Sequence, residues 1–259
     1  MPSLRLLATS GKPRVPALLA ACALISILAL AGCRDRETAG AGAGPPGRRE
    51  AGLWIWGGHA LPAESAGGPL YLFQGKLSAA AEGYRFRKQG LHPYPAGARR
   101  LHLVFRLDGM DTSRALPARM KDIRDRWIRH GNAVPGFQFD YDCPTAKLEA
   151  YSVWVRGIRK ALGDSVALGI SGLADWALSG EKASLRKLLG SVDEAVFQLY
   201  AGPRTIPRPD RILDRLESLA MPYKVGFLSG DSAGIALLDD PSAYPHCVGY
   251  VIFLLPGAA

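Results

Sequence analysis

The sequence predicts an α/β fold, an abbreviated (β/α)8 barrel of the TIM type, on three observations. Eight short apolar runs recur between residue 53 and residue 254. Several of them are separated by stretches whose apolar residues repeat every 3.6 positions. No Gly-rich nucleotide loop follows any run, which speaks against the rival fold, a doubly wound open sheet. Strands that alternate with helices imply βαβ units and a parallel sheet, and eight strands suffice to close one into a barrel.

The strand candidates are 53–56, 70–74, 101–107, 134–140, 166–171, 195–200, 223–228 and 248–254, each close to the ordinary strand length. Four helical faces lie between them. Leu116, Met120, Ile123 and Trp127 form the first, and Leu148, Tyr151, Val155, Ile158 and Leu162 the second and clearest. Leu185, Leu188, Leu189 and Val192 form the third, and Ile212, Leu213, Leu216 and Leu219 the fourth. Helices are missing or short after strands one, two and seven. Residues 57–69 are too few and too rich in Gly and Pro, while 76–100 lacks a helical pattern and holds Tyr84-Arg85-Phe86-Arg87, which alternates like an extra strand. Only a weak helix fits after the seventh strand.

The start of the chain reads as an export signal. Arg5, Lys12 and Arg14 precede an apolar stretch over 15–30, which ends in Leu30-Ala31-Gly32-Cys33. Pro16 and Ser26 interrupt a run already short for a membrane span. Leu-Ala-Gly-Cys matches the lipobox pattern, so 1–32 is expected to be a lipoprotein signal peptide and Cys33 the lipidated residue. An ordinary signal peptide with a chance cysteine is the alternative. Acyl chains at ~0.8 kcal/mol per buried CH₂ would anchor the protein to a membrane. Arg34 follows the cysteine, and resemblance to sorted lipoproteins then implies the outer membrane, facing the periplasm. Residues 33–50, rich in Ala and Gly with a Pro pair, read as a flexible tether, and 51–259 as one barrel domain.

Cleavage after residue 32 leaves 29 basic against 23 acidic residues, a net charge of +6 without any long like-charge block. A nucleic-acid partner is not expected outside the cytoplasm. Cys22 departs with the signal and Cys33 takes lipid, which leaves Cys143 and Cys247. The first follows the fourth strand and the second precedes the eighth, so they fall at opposite ends of the barrel. A strand spans roughly 17–20 Å and a disulfide needs Cα atoms within about 7 Å. Two unpaired thiols are expected.

Barrel sites form at the C-terminal ends of strands, and the fourth strand ends Gly136-Phe137-Gln138-Phe139-Asp140-Tyr141-Asp142-Cys143-Pro144. Alternation puts Gln138, Asp140 and Asp142 on one side and the aromatics on the other. With the aromatics against the helices, two carboxylates turn toward the barrel axis, which is costly as core and suited to acid–base chemistry. Burial and the neighbouring charge would raise the pKa of Asp142. The competing structural reading has Asp142 capping the next helix and Asp140 paired with an arginine such as Arg106. Further candidates are Trp54 and Trp56 on strand one, Arg106 and Asp108 on strand three, Asp175 and Trp176 after strand five, and Asp231 after strand seven.

The run Gly-Phe-Gln-Phe-Asp-Tyr-Asp-Cys-Pro resembles the fourth-strand motif of chitinase-type (family eighteen) glycoside hydrolases, Asp-x-Asp-x-Glu followed by Tyr-Pro. Asp140 matches the middle acid, Asp142 stands where those enzymes keep a general-acid Glu, and Gln138 replaces the first Asp. Gln198-Leu199-Tyr200 resembles their Met-x-Tyr-Asp, with Ala201 in place of the final acid. A closer resemblance is to an uncharacterised bacterial family of barrel-domain lipoproteins (domain of unknown function 3142). It is carried by Phe-Gln-Phe-Asp-Tyr-Asp, by Gly169-Ile170-Ser171-Gly172-Leu173-Ala174-Asp175-Trp176 and by Asp193-Glu194-Ala195-Val196. It extends over most of 53–255 and implies fold and export, without an established activity.

The expectation is therefore a glycoside hydrolase-like protein acting on a polysaccharide. Asp142 and Asp140 are its catalytic candidates, and Gln138, Gln198, Tyr200, Trp56, Arg106, Asp175 and Trp176 bind substrate. The second carboxylate stays open between the substrate's own acetamido group, Asp175 and Asp231. A non-catalytic glycan- or partner-binding barrel is the alternative. No Gly-x-Ser-x-Gly elbow, Cys-x-x-Cys pair or Walker loop is present in the mature chain, and the five histidines have no metal-ligand spacing. No cofactor or metal is expected, and Cys143 has no histidine clearly near to activate it.

Overall fold

The computed structural model describes residues 49–57, 67–80, 83–96, 100–110 and 115–254. The expected signal peptide, Cys33 and the tether up to residue 48 lie outside the described residues, as does most of the first connection, 58–66. The strands are β1 (Glu50–Ile55), β2 (Leu70–Ala80), β3 (Gly83–Lys88), β4 (Arg100–Leu107), β5 (Ala133–Asp140) and β6 (Ala167–Leu173). They continue with β7 (Glu194–Gln198), β8 (Tyr200–Ala201), β9 (Arg204–Thr205), β10 (Tyr223–Leu228) and β11 (Cys247–Leu254). The helices are α1 (Leu116–Arg129), α2 (Leu148–Leu162), α3 (Ala174–Ser179), α4 (Lys182–Leu189), α5 (Pro209–Glu217) and α6 (Ser232–Ala236).

Eight strands run parallel in the order β1-β2-β4-β5-β6-β7-β10-β11, and β11 pairs back onto β1. The sheet closes, so the fold is the abbreviated TIM-type barrel and the open-sheet alternative is excluded. Two apolar layers hold it. Alternate residues such as Phe105, Phe137, Phe139, Ile170 and Phe197 face the helices, where the four predicted stripes meet them. Trp54, Phe73, Val104, Val196, Val251 and Phe253 fill the interior. Each large side chain so buried contributes roughly 1.5–3 kcal/mol. Gly226 makes room for this filling, because a Cβ there would stand 2.6 Å from the ring of Phe253.

An ionic layer lies beneath this filling, at the N-terminal ends of the strands. Lys224 pairs with Glu194 at 2.7 Å and with Glu50 at 3.0 Å. The Tyr71 hydroxyl donates to Glu194 at 2.5 Å, and Arg100 pairs with Glu50. Burial pushes the Glu194 carboxyl up, but Lys224 and its other partners outweigh this and hold it below the ordinary value.

Five elements differ from the expected ones. β1 starts at Glu50, and Arg49 beside it donates to the carbonyls of Tyr244 and Cys247 at 2.8 and 3.0 Å, so the barrel begins inside the segment read as tether. β2 runs to Ala80, and β3, the predicted extra strand, pairs antiparallel with Gly75–Ala80 where β1 has ended. α3 and the two-residue hairpin of β8 and β9 were not expected. After β10 only the five-residue α6 forms. Cys143 lies past the end of β5 and Cys247 opens β11, both buried and unpaired. Among the described residues no helix is long and apolar enough to cross a membrane.

Candidate functional site at the barrel mouth

β5 carries the centre of the site. Phe137 and Phe139 are fully buried toward the helices, so Gln138 and Asp140 turn inward, at 0% and 2% exposure. The parallel register of β4, β5 and β6 sets Arg106, Asp140 and Ser171 side by side. Ser171 Oγ donates to Asp140 Oδ1 at 2.6 Å, and Arg106 Nη1 donates to Oδ2 at 2.7 Å. Burial is the largest influence on this carboxyl and, against Arg106 and Ser171, keeps it above the ordinary aspartate value.

Asp142 lies two residues farther out and accepts from Nη2 of the same guanidinium. One arginine thus bridges a buried carboxyl and an exposed carboxylate. The expected burial of Asp142 is not found: its side chain is 53% exposed, against 3% for Asp140. The buried acid with a raised pKa is Asp140. Asp142 caps no helix either, since the 3-10 turn Thr145–Lys147 starts after Pro144 and has no side-chain cap. The predicted pairing of Asp140 with Arg106 is present, and it coexists with a shared role for Asp142.

Tyr200 stands at the start of β8 with its ring 5.1 Å from Phe253. Burial, with the charges of Asp140 and Asp142 close by, pushes its phenol well up, so it remains a hydroxyl donor. Gln198 ends β7, half-buried and on the inward parity of Val196. The Trp56 ring is half-buried and packs 4.4 Å from Trp54 and 5.5 Å from Phe73. The interior filling closes the floor beneath these residues.

Several expected ligand-binding residues have other work. Gln138 lies fully inside, its Oε1 accepting from Trp54 Nε1 at 3.0 Å. Its Nε2 has no hydrogen-bond partner among the described residues. Trp176 is fully buried in the outer layer and donates from Nε1 to the Cys143 carbonyl at 2.8 Å, so it props the loop behind Asp142 and offers no face to a sugar. Asp175 is exposed on the first turn of α3. Asp231 caps α6 through the Gly234 N–H at 2.8 Å and accepts from Thr205 at 2.7 Å. Asp108 pairs with Lys76 at 2.8 Å. Ser171 is a site residue not among the expected ones, and its inward parity within the 166–171 run is the signal that the sequence offers for it.

An exposed carboxylate steered by a guanidinium, with a buried acid behind it and a phenol beside it, can exchange a proton or bind hydroxyls. Among the described residues no group of three or more His, Cys, Asp or Glu is arranged to hold a metal ion.

Residues 97–221 match the model of a family described as a domain of unknown function (DUF3142), a narrower span than the 53–255 over which the motifs resemble it. No curated protein matches the chain. Among solved structures, the xylanase and alpha-amylase inhibitor protein XAIP-II from Scadoxus multiflorus aligns at a TM-score of 0.52 and 11% identity, over 80% of this chain and 93% of that one. The spore cortex-lytic enzyme SleL from Bacillus cereus aligns at 0.45 and 13% identity, over 82% and 71%. The chitinase domain of the spore coat protein CotE from Clostridium difficile aligns at 0.40 and 14% identity, over 70% and 65%. The first of these likenesses supports the barrel fold.

Proposed function

We propose that this chain is a carbohydrate-active envelope lipoprotein, a glycoside hydrolase-like barrel with Asp142 as general acid. The observation that supports it best is the pairing of Asp142, exposed at the mouth, with buried Asp140 through the single guanidinium of Arg106. In this reading Asp142 protonates the glycosidic oxygen, and Asp140, whose carboxyl burial holds above the ordinary value, is the neighbour that shares its guanidinium. Tyr200 and Gln198 orient sugar hydroxyls, and the exposed part of Trp56 packs against a ring face. An N-acetylated sugar supplies the nucleophile from its own acetamido oxygen, which removes the need for a second carboxylate. The signal over 1–32 and the lipobox around Cys33 support placement on a membrane of the envelope, and Cys33→Ser is expected to move the chain out of the membrane fraction.

A second reading, a glycan-binding barrel without catalysis, is favoured by one feature. Arg106 already occupies the carboxylate that would deliver the proton, and an aspartate reaches one methylene less far than a glutamate. A misplacement near 1 Å costs about 10²-fold in rate.

The test is incubation of the full chain and its Asp142→Ala form with N-acetylated and plain glycans, read by mass spectrometry. Cleavage by the wild type alone supports the hydrolase. Intact glycan with sugar-dependent tryptophan quenching in both forms moves the function to binding. Neither cleavage nor quenching overturns both readings.

A further inference from the structure

Beyond Asp140, the register that builds the site continues away from it across the sheet. Ser171 on β6 stands opposite Asp140 on β5, Asp140 opposite Arg106 on β4, Arg106 opposite Lys76 on β2, and Lys76 opposite Arg87 on β3. Directly opposed residues share one face of a sheet. The face is the inward one, because Leu77 and Phe105 on the other parity lie in the outer core. One row farther out on this face, Arg85 stands opposite Ser78. The mouth is therefore walled on the β3-β2-β4 side by four cations on neighbouring strands, about 4.8 Å apart from strand to strand.

The charges on this wall do not balance locally. Arg106 is engaged by Asp140 and Asp142, and Lys76 by Asp108. Arg85 and Arg87 are exposed and have no hydrogen bond or ion pair among the described residues. Arg87 directly opposite Lys76 is a like-charge cross-strand pair, which is unfavourable in a sheet, and Asp108 offsets only the lysine. Edge strands carry such charges to block unwanted pairing, but that purpose is served by charges of either sign and does not require alignment with the carboxylate row. Guanidinium groups form two-pronged hydrogen bonds with carboxylates.

We infer that the ligand of this mouth is an acidic polysaccharide, whose carboxylates lie on Arg85 and Arg87 while the reacting or recognised sugar sits at Asp142. The inference rests on the glycan reading above and adds the substrate class to it. Anionic glycan is drawn in by this wall from solution, and the attraction is screened as salt shortens the Debye length from about 10 Å at 0.1 M to about 3 Å at 1 M.

The experiment measures binding of the full chain in detergent to oligosaccharides of alginate and hyaluronan. Each is compared with its carboxyl-reduced, neutral counterpart, and N-acetylglucosamine oligomers are included. The Arg85→Ala/Arg87→Ala form is run in parallel. Both side chains are exposed, and an unchanged melting curve confirms the fold. The expected result is binding of the acidic forms at least about tenfold tighter than the reduced forms, lost on adding salt, and weakened about tenfold by the double substitution. Neutral oligomers should be indifferent to that substitution. Equal affinity for acidic and reduced glycans, or acidic binding untouched by the double substitution, overturns the acidic substrate while the glycan site stands. No binding of any glycan, acidic or neutral, overturns the glycan reading and this inference with it.

Discussion

Arg106 and Asp140 stand opposite each other on β4 and β5, and their side chains meet at 2.7 Å where the barrel interior opens to the mouth. Arg106→Leu leaves a buried carboxyl with Ser171 as its remaining donor. Breaking a buried pair from one side costs about 3–5 kcal/mol, and the partly exposed guanidinium places this one near 3 kcal/mol. The pH dependence identifies the cause. The Asp140 carboxyl already lies above the ordinary value in the folded chain, and loss of Arg106 raises it further. A raised carboxyl favours folding below its unfolded pKa and loses that contribution as pH rises through the folded one. Thermal melts should therefore show Arg106→Leu much closer to wild type near pH 4 than at pH 7. An equal deficit at both values counts against an unpaired Asp140.

Trp54 and Gln138 are coupled in the same way by a neutral bond. Gln138→Leu leaves the indole N–H without an acceptor inside the barrel, at a cost of about 1–3 kcal/mol. Trp54→Phe removes the donor and some interior volume. In the double substitution the lost bond is counted once, so denaturant unfolding should show a deficit about 1 kcal/mol smaller than the sum of the two single ones. Strict additivity would show that the bond does not form.

The same residues show what a single sequence makes legible. The polar triple at and just past the end of β5 is readable because strand parity has period two and the aromatic face is unbroken from Phe137 to Tyr141. Pairing with Arg106 was one of two open readings, since register between strands leaves no mark on either strand alone. Ser171 carries the inward parity in its own strand, but its place beside Asp140 follows only from the register of β5 and β6. The sequence pattern of β2 stops at residue 74 because a bulge falls between Phe73 and Gly75, which breaks the alternation and hides Lys76–Ala80. Gly75 has φ +154°, and a Cβ there would stand 2.3 Å from the Arg87 carbonyl. From sequence Trp176 reads as a mouth residue because its helix has no start signal: the N-cap of α3 is Leu173, without a side-chain hydrogen bond. The helix turns the indole beneath the Cys143 carbonyl instead.

The two thiols should behave as core residues. Burial pushes both Cys143 and Cys247 up to about 11, so little thiolate exists at pH 8. Peptide mapping after treatment with an alkylating reagent should find both unmodified in the native chain and modified in denaturant, without prior reduction. A disulfide-linked peptide pair, or rapid native labelling of Cys143, contradicts the placement.

At the other end of the barrel, Lys224→Met should be among the most destabilising single changes. Lys224 is 6% exposed and faces Glu194 and Glu50, while Glu194 also holds the Tyr71 hydroxyl. Loss of the ammonium leaves Glu194, whose side chain is only 18% exposed, without its ion-pair partner, at about 3 kcal/mol. The wild-type Glu194 carboxyl lies below the ordinary value, so its contribution is present above about pH 4.3 and is lost as pH falls through the folded value. In Lys224→Met burial dominates and lifts the carboxyl instead, which reverses the sign. The variant should gain stability relative to wild type on acidification from pH 7 to pH 4.5. Tyr71→Phe removes one hydroxyl and keeps the ion pair, so it should cost about 1–2 kcal/mol without that reversal. Melting temperatures of the three proteins across this range decide the matter, and parallel curves would show that the ionic layer does not set the pH response.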